Sequence, residues 1–160
     1  MRDRKLPSFL TFLFLPALFF LVFSACVFFN NRSFRQFTGQ IFRSELAGNT
    51  LNLHYTLKHP ENYGISEAPV TLGSAEPEVL EASGLVLENY QEVLRRFPYQ
   101  TLSKTNRLTY DILQLYLQNQ PSGQKFALYA EPLGPTIGTQ AQLPVLLAEY
   151  AFRNKADIET

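Results

Sequence analysis

The stretch PEVLEASGLVLENYQEVLRRFPYQTLSKTNRLTYDILQLYLQN, residues 77–119, carries the clearest structural signal in the chain. Leu80, Leu87, Tyr90, Leu94 and Phe97 recur in steps of seven, three, four and three, which places them on one face of a helix. Pro77 suits the first turn, where a missing N–H costs nothing, and Arg95 and Arg96 suit the negative end of the helix dipole. Pro98 ends the run, because a proline neither donates to the preceding turn nor clears its carbonyl. A second helix is expected from near Ser103 to Asn119. It presents Leu108, Ile112, Leu115 and Tyr116 together with Tyr110, Leu113 and Leu117, so burial over a wide face is expected. A connection of about five residues makes the two helices antiparallel neighbours. The expected fold class is therefore mainly α, organised around a helical hairpin.

Upstream, FLTFLFLPALFFLVFSACVFF (Phe9 to Phe29) contains no charged residue. Its 21 residues match the roughly 20 that a helix needs to cross the hydrocarbon core. Arg2, Arg4 and Lys5, opposed only by Asp3, precede it, and by the positive-inside rule they hold the N-terminus in the cytoplasm. Pro16 is tolerable in a membrane helix. Three readings of this segment stay open: an uncleaved signal anchor, a lipoprotein signal, or a simple cleaved signal peptide. Phe23 to Cys26 resembles a lipobox, which makes Cys26 a lipidation candidate. Phe23 and the apolar residues after Cys26 depart from that pattern. Each reading puts the rest of the chain outside the cytoplasm, with residues 9–29 as the membrane contact.

The remaining 131 residues carry 11 Lys and Arg against 13 Asp and Glu, a balance that gives no electrostatic footprint for nucleic acid. NNRS (30–33) is expected as a polar hinge, with Ser33 capping a helix that buries Phe34, Phe37, Ile41 and Phe42 and stops at Gly48. Leu51 to Leu57 fits either a short extended segment or one helical turn. HPENYG (59–64) is expected to turn, and 66–77 to form an irregular connection. Further on, QPSG (120–123) is expected as a turn and KFALYAEPL (125–133) as a short strand or extended crossing. GPTIGTQAQLP (134–144) is expected to be extended, VLLAEYAF (145–152) a brief helix, and Asn154 the start of another.

Little in the chain states a reaction. One cysteine excludes an intramolecular disulfide and a Cys-based zinc site. His54 and His59 have the wrong spacing for a zinc-peptidase pair, Tyr55 stands where such a motif has Glu, and Pro60 interrupts. They read as a packed or exposed histidine near a turn. Glu131, Glu149 and Asp157 have no spacing that marks a catalytic pair. GPTIG lacks the Lys-Ser/Thr of a phosphate loop. Thr139, Gln140 and Gln142 could bind a peptide backbone, but such side chains more often satisfy neighbouring loop groups. No catalytic, metal or cofactor-binding residue is assigned.

Three stretches carry a family resemblance: FRQFTGQIFRSELAGNTLNLHYTLKHPENYGI, LSKTNRLTYDILQLYL and EPLGPTIGTQAQLPVLLAEYAFRNKADIE. Together they cover most of residues 34–159, and the last is the most specific. The chain resembles the N-terminal portion of the bacterial family catalogued as domain of unknown function 885. That resemblance implies a large helical fold related to zinc metallopeptidases, with the metal motif of full-length relatives downstream of the matched part. It further implies residues 1–29 as an anchor or signal and 30–160 as the truncated front of a helical domain. Zinc and a peptide substrate would then belong to the longer protein, and this chain alone is expected to be catalytically silent. The alternative is a small anchored helical protein acting as a partner-binding or structural module.

Overall fold

The computed structural model describes residues 8–66, 68–74, 76–124, 134, 136, 138–153 and 155, with residues 8–15 and 121–124 described only by their place in helices. The described residues hold five α-helices and no strand: α1 (Ser8–Ala47), α2 (Thr50–Thr56), α3 (Pro77–Arg95), α4 (Lys104–Gln124) and α5 (Thr139–Ala148). Short 3-10 turns occupy Pro60–Tyr63 and Tyr99–Thr101. The mainly α class expected from the hydrophobic spacing is what the chain adopts.

Helix α1 sets the architecture. At 40 residues it is about 60 Å long, roughly twice the hydrocarbon thickness of a bilayer. Its two halves are different materials. In the first, Leu18, Phe19, Phe20, Leu21, Phe28 and Phe29 are all exposed, Phe19 at 74%. In the second, Phe34 is completely buried, and Ile41 and Leu46 are nearly so. Helix α1 is long and apolar enough to cross a membrane.

The second half of α1 packs on the α3–α4 hairpin. Phe34, Leu94, Leu102 and Leu117 form the buried centre, bordered by Phe37, Leu87, Tyr90, Phe97, Tyr110 and Leu113. The Phe34 ring meets Phe97 edge-on at 5.3 Å and lies over Tyr110 at 6.3 Å. Phe37 continues the aromatic seam to Phe97 and Tyr90. A smaller cluster of Leu46, Leu57 and Ile65 closes the far end of α1 against α2.

The expected hinge at 30–33 is a correction, since α1 runs through it without a break and Ser33 caps nothing. Asn has a weak intrinsic preference for helix, but tertiary contacts override it. Asn31 Oδ1 accepts from the Ser103 N–H at 2.7 Å and from Asn106 Nδ2 at 2.8 Å. Its Nδ2 donates to the Thr101 carbonyl at 2.8 Å and to Val27 one turn back. Asn30 Nδ2 donates to Thr101 Oγ1 at 2.7 Å, and that hydroxyl donates onward to the Pro98 carbonyl. The two asparagines thus clasp the hairpin turn to the middle of α1.

The hairpin itself matches expectation at its inner ends. α3 stops before Pro98, and Ser103 Oγ accepts from the Asn106 N–H to open α4. Two details differ. The backbone stays helical through 120–124 instead of turning, because Pro121 removes one hydrogen bond yet keeps a φ that a helix accepts. The wide burial of α4 is not found either. Leu117 is fully buried and Leu113 and Tyr110 border the core, but Leu108, Ile112 and Leu115 are each more than 60% exposed. Among the described residues, α1 and α3 cover one side of α4.

Gly48 follows the end of α1 as expected, and residues 51–56 belong to the two-turn helix α2, not to an extended segment. Asn49 caps α2 by accepting from the Asn52 N–H at 2.9 Å and ties Leu72 with its own amide. The 59–64 turn ends on Gly64 at φ 77°, a left-handed conformation that favours glycine. The irregular connection is held to α2 by the Thr50 N–H, which donates to the Thr71 carbonyl at 2.7 Å. The expectation of an extended 134–144 is corrected from residue 139 onward. α5 begins there, and it ends at Ala148, so the helix expected over 145–152 lies earlier in the chain. Gly138 precedes it and donates its N–H to the Gly134 carbonyl, so close to Gly134 that a Cβ would collide with that backbone. The 125–133 crossing and the helix expected from Asn154 fall outside the described residues.

This packing separates two substitutions that the sequence treats alike. Phe34→Ala is expected to cost about 3–5 kcal/mol, because it empties the centre of the bundle. Ile112→Ala should change stability by about 0.5 kcal/mol or less, as an exposed position does. Urea unfolding of the full chain in non-ionic detergent, followed by far-UV circular dichroism, checks both. Equal losses would contradict the burial pattern.

Candidate functional site

A cleft of about 530 Å³ lies where α2, the Pro60–Tyr63 turn and the segment after α5 meet. Leu53, His54, Leu57, Lys58, His59, Glu61, Tyr150 and Arg153 line it. Leu53, Leu57 and Ile65 supply the apolar floor shared with the smaller core cluster. Lys58, His59 and Arg153 make its polar lining predominantly basic, with Glu61 as the opposing acid.

His54 is buried by stacking. Its imidazole lies on the Tyr150 ring with centroids 3.8 Å apart and planes 19° from parallel, while Tyr55 meets it edge-on. Tyr55 Oη donates to the Leu146 carbonyl at 2.5 Å, which ties α2 to α5. Arg153 donates to the His54 carbonyl at 2.9 Å and to the Leu57 carbonyl at 3.0 Å. Those carbonyls belong to the C-terminal end of α2, where a helix leaves acceptors unsatisfied, and a guanidinium answers both their lone pairs and the end of the dipole.

At the rim, His59 Nδ1 and Glu61 Oε1 are 3.0 Å apart, both more than half exposed. The Glu61 backbone N–H holds its carboxyl below the usual carboxylate range, with a smaller push from the His59 hydrogen bond and charge. A depressed carboxylate favours the folded turn above its unfolded pKa and loses that preference as pH falls through the folded value.

The two histidines, whose spacing is wrong for a zinc pair, have separate places: His54 is packed and His59 is exposed beside a turn. No group of three His, Cys, Asp or Glu side chains is placed to hold a metal among the described residues. Gln140 Nε2 donates to the Gly134 carbonyl at 2.6 Å, so its amide satisfies the neighbouring backbone. Glu149 is exposed at the end of α5. Cys26 is exposed on the apolar half of α1. Glu131 and Asp157 fall outside the described residues. Sequence reading missed Tyr150 and Arg153, about a hundred positions from their partners, because no periodicity links residues that distant. What Arg153 and Tyr150 do in this arrangement is bind the segment after α5 to α2.

Arg153→Ala is expected to raise exchange of the last α2 amides roughly five- to thirtyfold, the equivalent of about 1–2 kcal/mol, measured by hydrogen–deuterium exchange. Unchanged exchange would show that the guanidinium does not hold the helix end. His59→Ala should move the Glu61 titration upward only in part, since the backbone N–H is the larger cause; carboxyl-carbon NMR resolves this. No protein-family model, no curated protein and no solved structure matches the chain.

Proposed function

We propose that the chain is a membrane-anchored helical module whose first half-helix enters the bilayer and whose remainder forms a bundle standing on the membrane surface. One observation carries this reading: α1 passes without interruption from an apolar half, exposed at nearly every described residue from Pro16 to Phe29, to a core-forming half. An exposed apolar helix of this length is costly in water and stable in lipid. We place the N-terminus in the cytoplasm and the bundle outside it; Arg2, Arg4 and Lys5 precede the span and Arg32, Arg35 and Arg43 follow it, so the orientation rests on the family resemblance and not on a charge asymmetry. We take α1 as an uncleaved anchor; lipidation at Cys26 would require cutting α1 within its apolar half.

The resemblance noted above extends the proposal. On it, the bundle is the membrane-proximal, non-catalytic front of an extracytoplasmic zinc-peptidase-like hydrolase. The packing of Tyr150 and Arg153 on α2 supports treating the first and last resembling stretches as one unit. The exposed stripe of Leu108, Ile112 and Leu115 on α4 is apolar surface of the kind that a further helical unit would cover. His54 and His59 match no part of such a family's metal motif, so the module positions and does not catalyse.

The test uses the full chain expressed with its native N-terminus. It should stay with membranes through alkaline carbonate washing, keep the mass of an unprocessed and unacylated chain, and react at Gln118→Cys with an impermeant maleimide from outside the cell. Release by carbonate, or a mature chain starting at acylated Cys26, would overturn the helical anchor. Stoichiometric zinc together with peptide hydrolysis by the purified chain would overturn the non-catalytic reading.

A further inference from the structure

The clasp at Asn30 and Asn31 fixes more than the hairpin turn. It brings to one end of the bundle basic residues that lie far apart in the chain. Arg32 and Arg35 follow the clasp on α1, Arg95 and Arg96 end α3, and Lys104 and Arg107 open α4. Arg107 is engaged, donating to the Gln100 and Leu102 carbonyls and lying over the Tyr99 ring at 5.5 Å. Arg96 is paired with Glu92. Arg32, Arg35, Arg95 and Lys104 are exposed, with no ion pair among the described residues. Asp111, two turns into α4, accepts from Tyr99 Oη at 3.0 Å, and Glu88, two turns before the end of α3, is a further acid at that level. The acids Glu76, Glu78 and Glu81 sit at the opposite end of α3.

From this placement we infer that the basic end of the bundle, centred on the Tyr99–Thr101 turn, docks on anionic lipid headgroups of the same bilayer that α1 enters. The inference rests on the membrane reading of α1. Its own support is geometric: the turn is bonded to Asn31, two residues beyond the last apolar residue of the span, and α1 has no hinge there. Whichever leaflet α1 leaves, the turn lies at that leaflet's headgroup level. Clusters of four to eight Lys and Arg beside a membrane helix have the charge and spacing to bind anionic headgroups. Docking would fix the tilt in the bilayer of α1 and the bundle, which move as one body.

The full chain, with Cys26→Ser and a single spin label, tests this in vesicles of phosphatidylcholine alone or mixed with phosphatidylglycerol. Power-saturation accessibility to oxygen and to a water-soluble nickel chelate reports depth. A label at Gln100→Cys should read headgroup depth in the mixed vesicles and shift toward water in phosphatidylcholine alone. Each basic residue near the surface strengthens such contact about fivefold, so the combined Arg32→Gln, Arg35→Gln, Arg95→Gln and Lys104→Gln variant should lose the lipid dependence. A label at Phe20→Cys, reading hydrocarbon depth in both lipids, keeps the two claims apart. If it reads water, the anchor fails and docking with it. If it reads hydrocarbon while position 100 reads water in both lipids, or reads the same in the neutralised variant, docking alone is overturned.

Discussion

The pairing of Asn31 with the hairpin turn is the constraint on which the rest of the structure depends. Its side-chain amide uses both ends, giving hydrogens to Thr101 and Val27 and taking them from Ser103 and Asn106. A polar residue in the middle of a long helix is usually a weak point. Here its groups are satisfied by the hairpin turn, by Asn106 of α4 and by Val27 one turn back. The clasp sets the level at which the hairpin meets α1, and Phe34, one turn further on, then falls between Phe97 and Tyr110. A slip of α1 by one residue would turn Phe34 by about 100° out of that slot and leave the Ser103 N–H without its acceptor.

The aromatic core and the clasp divide the work. Phe34, Leu94, Leu102 and Leu117 supply apolar burial, which has no preferred direction. The asparagines supply direction, because hydrogen bonds fail when their partners are displaced. The result makes the exposed first half of α1 a mechanical extension of the bundle, not a tether joined to it by a flexible link. At the other end Arg153 and Tyr150 perform a comparable service for α2, holding its last carbonyls and covering His54. The cleft left between those segments is a by-product of that joint as much as a candidate ligand site.

Much of the helical skeleton was legible in residue spacing. The steps from Leu80 to Phe97 placed α3, Pro98 its end, Ser103 the start of α4, and Gly48 the end of the α1 run. What spacing could not show was how residues of weak local preference behave once they have distant partners. Asn30 and Asn31 looked like a break because their helix propensity is low, and only their partners some seventy positions away explain why they continue it. The α4 pattern was misread for a different reason. Leu108, Ile112 and Leu115 share the helix with buried Leu117, and periodicity counts apolar residues without knowing how many neighbours are present to cover them. Around the cleft, His54 and His59 read alike as packed or exposed near a turn, and only the Tyr150 stack tells them apart. Tyr150 and Arg153 carried no signal, since stacking and capping between distant segments leave no local pattern.

The central claim is that α1 is one rigid helix from the apolar span through the clasp into the core, and a distance measurement addresses it most directly. Spin labels at Leu18→Cys and Gln40→Cys, both exposed positions, with Cys26→Ser, straddle residues 30–33 in the full chain. In lipid nanodiscs, an unbroken helix places them about 33 Å apart, and pulsed dipolar spectroscopy should give a single narrow distribution near that value. A broad distribution, or one centred clearly shorter, would mean that NNRS bends after all and would contradict the continuous helix.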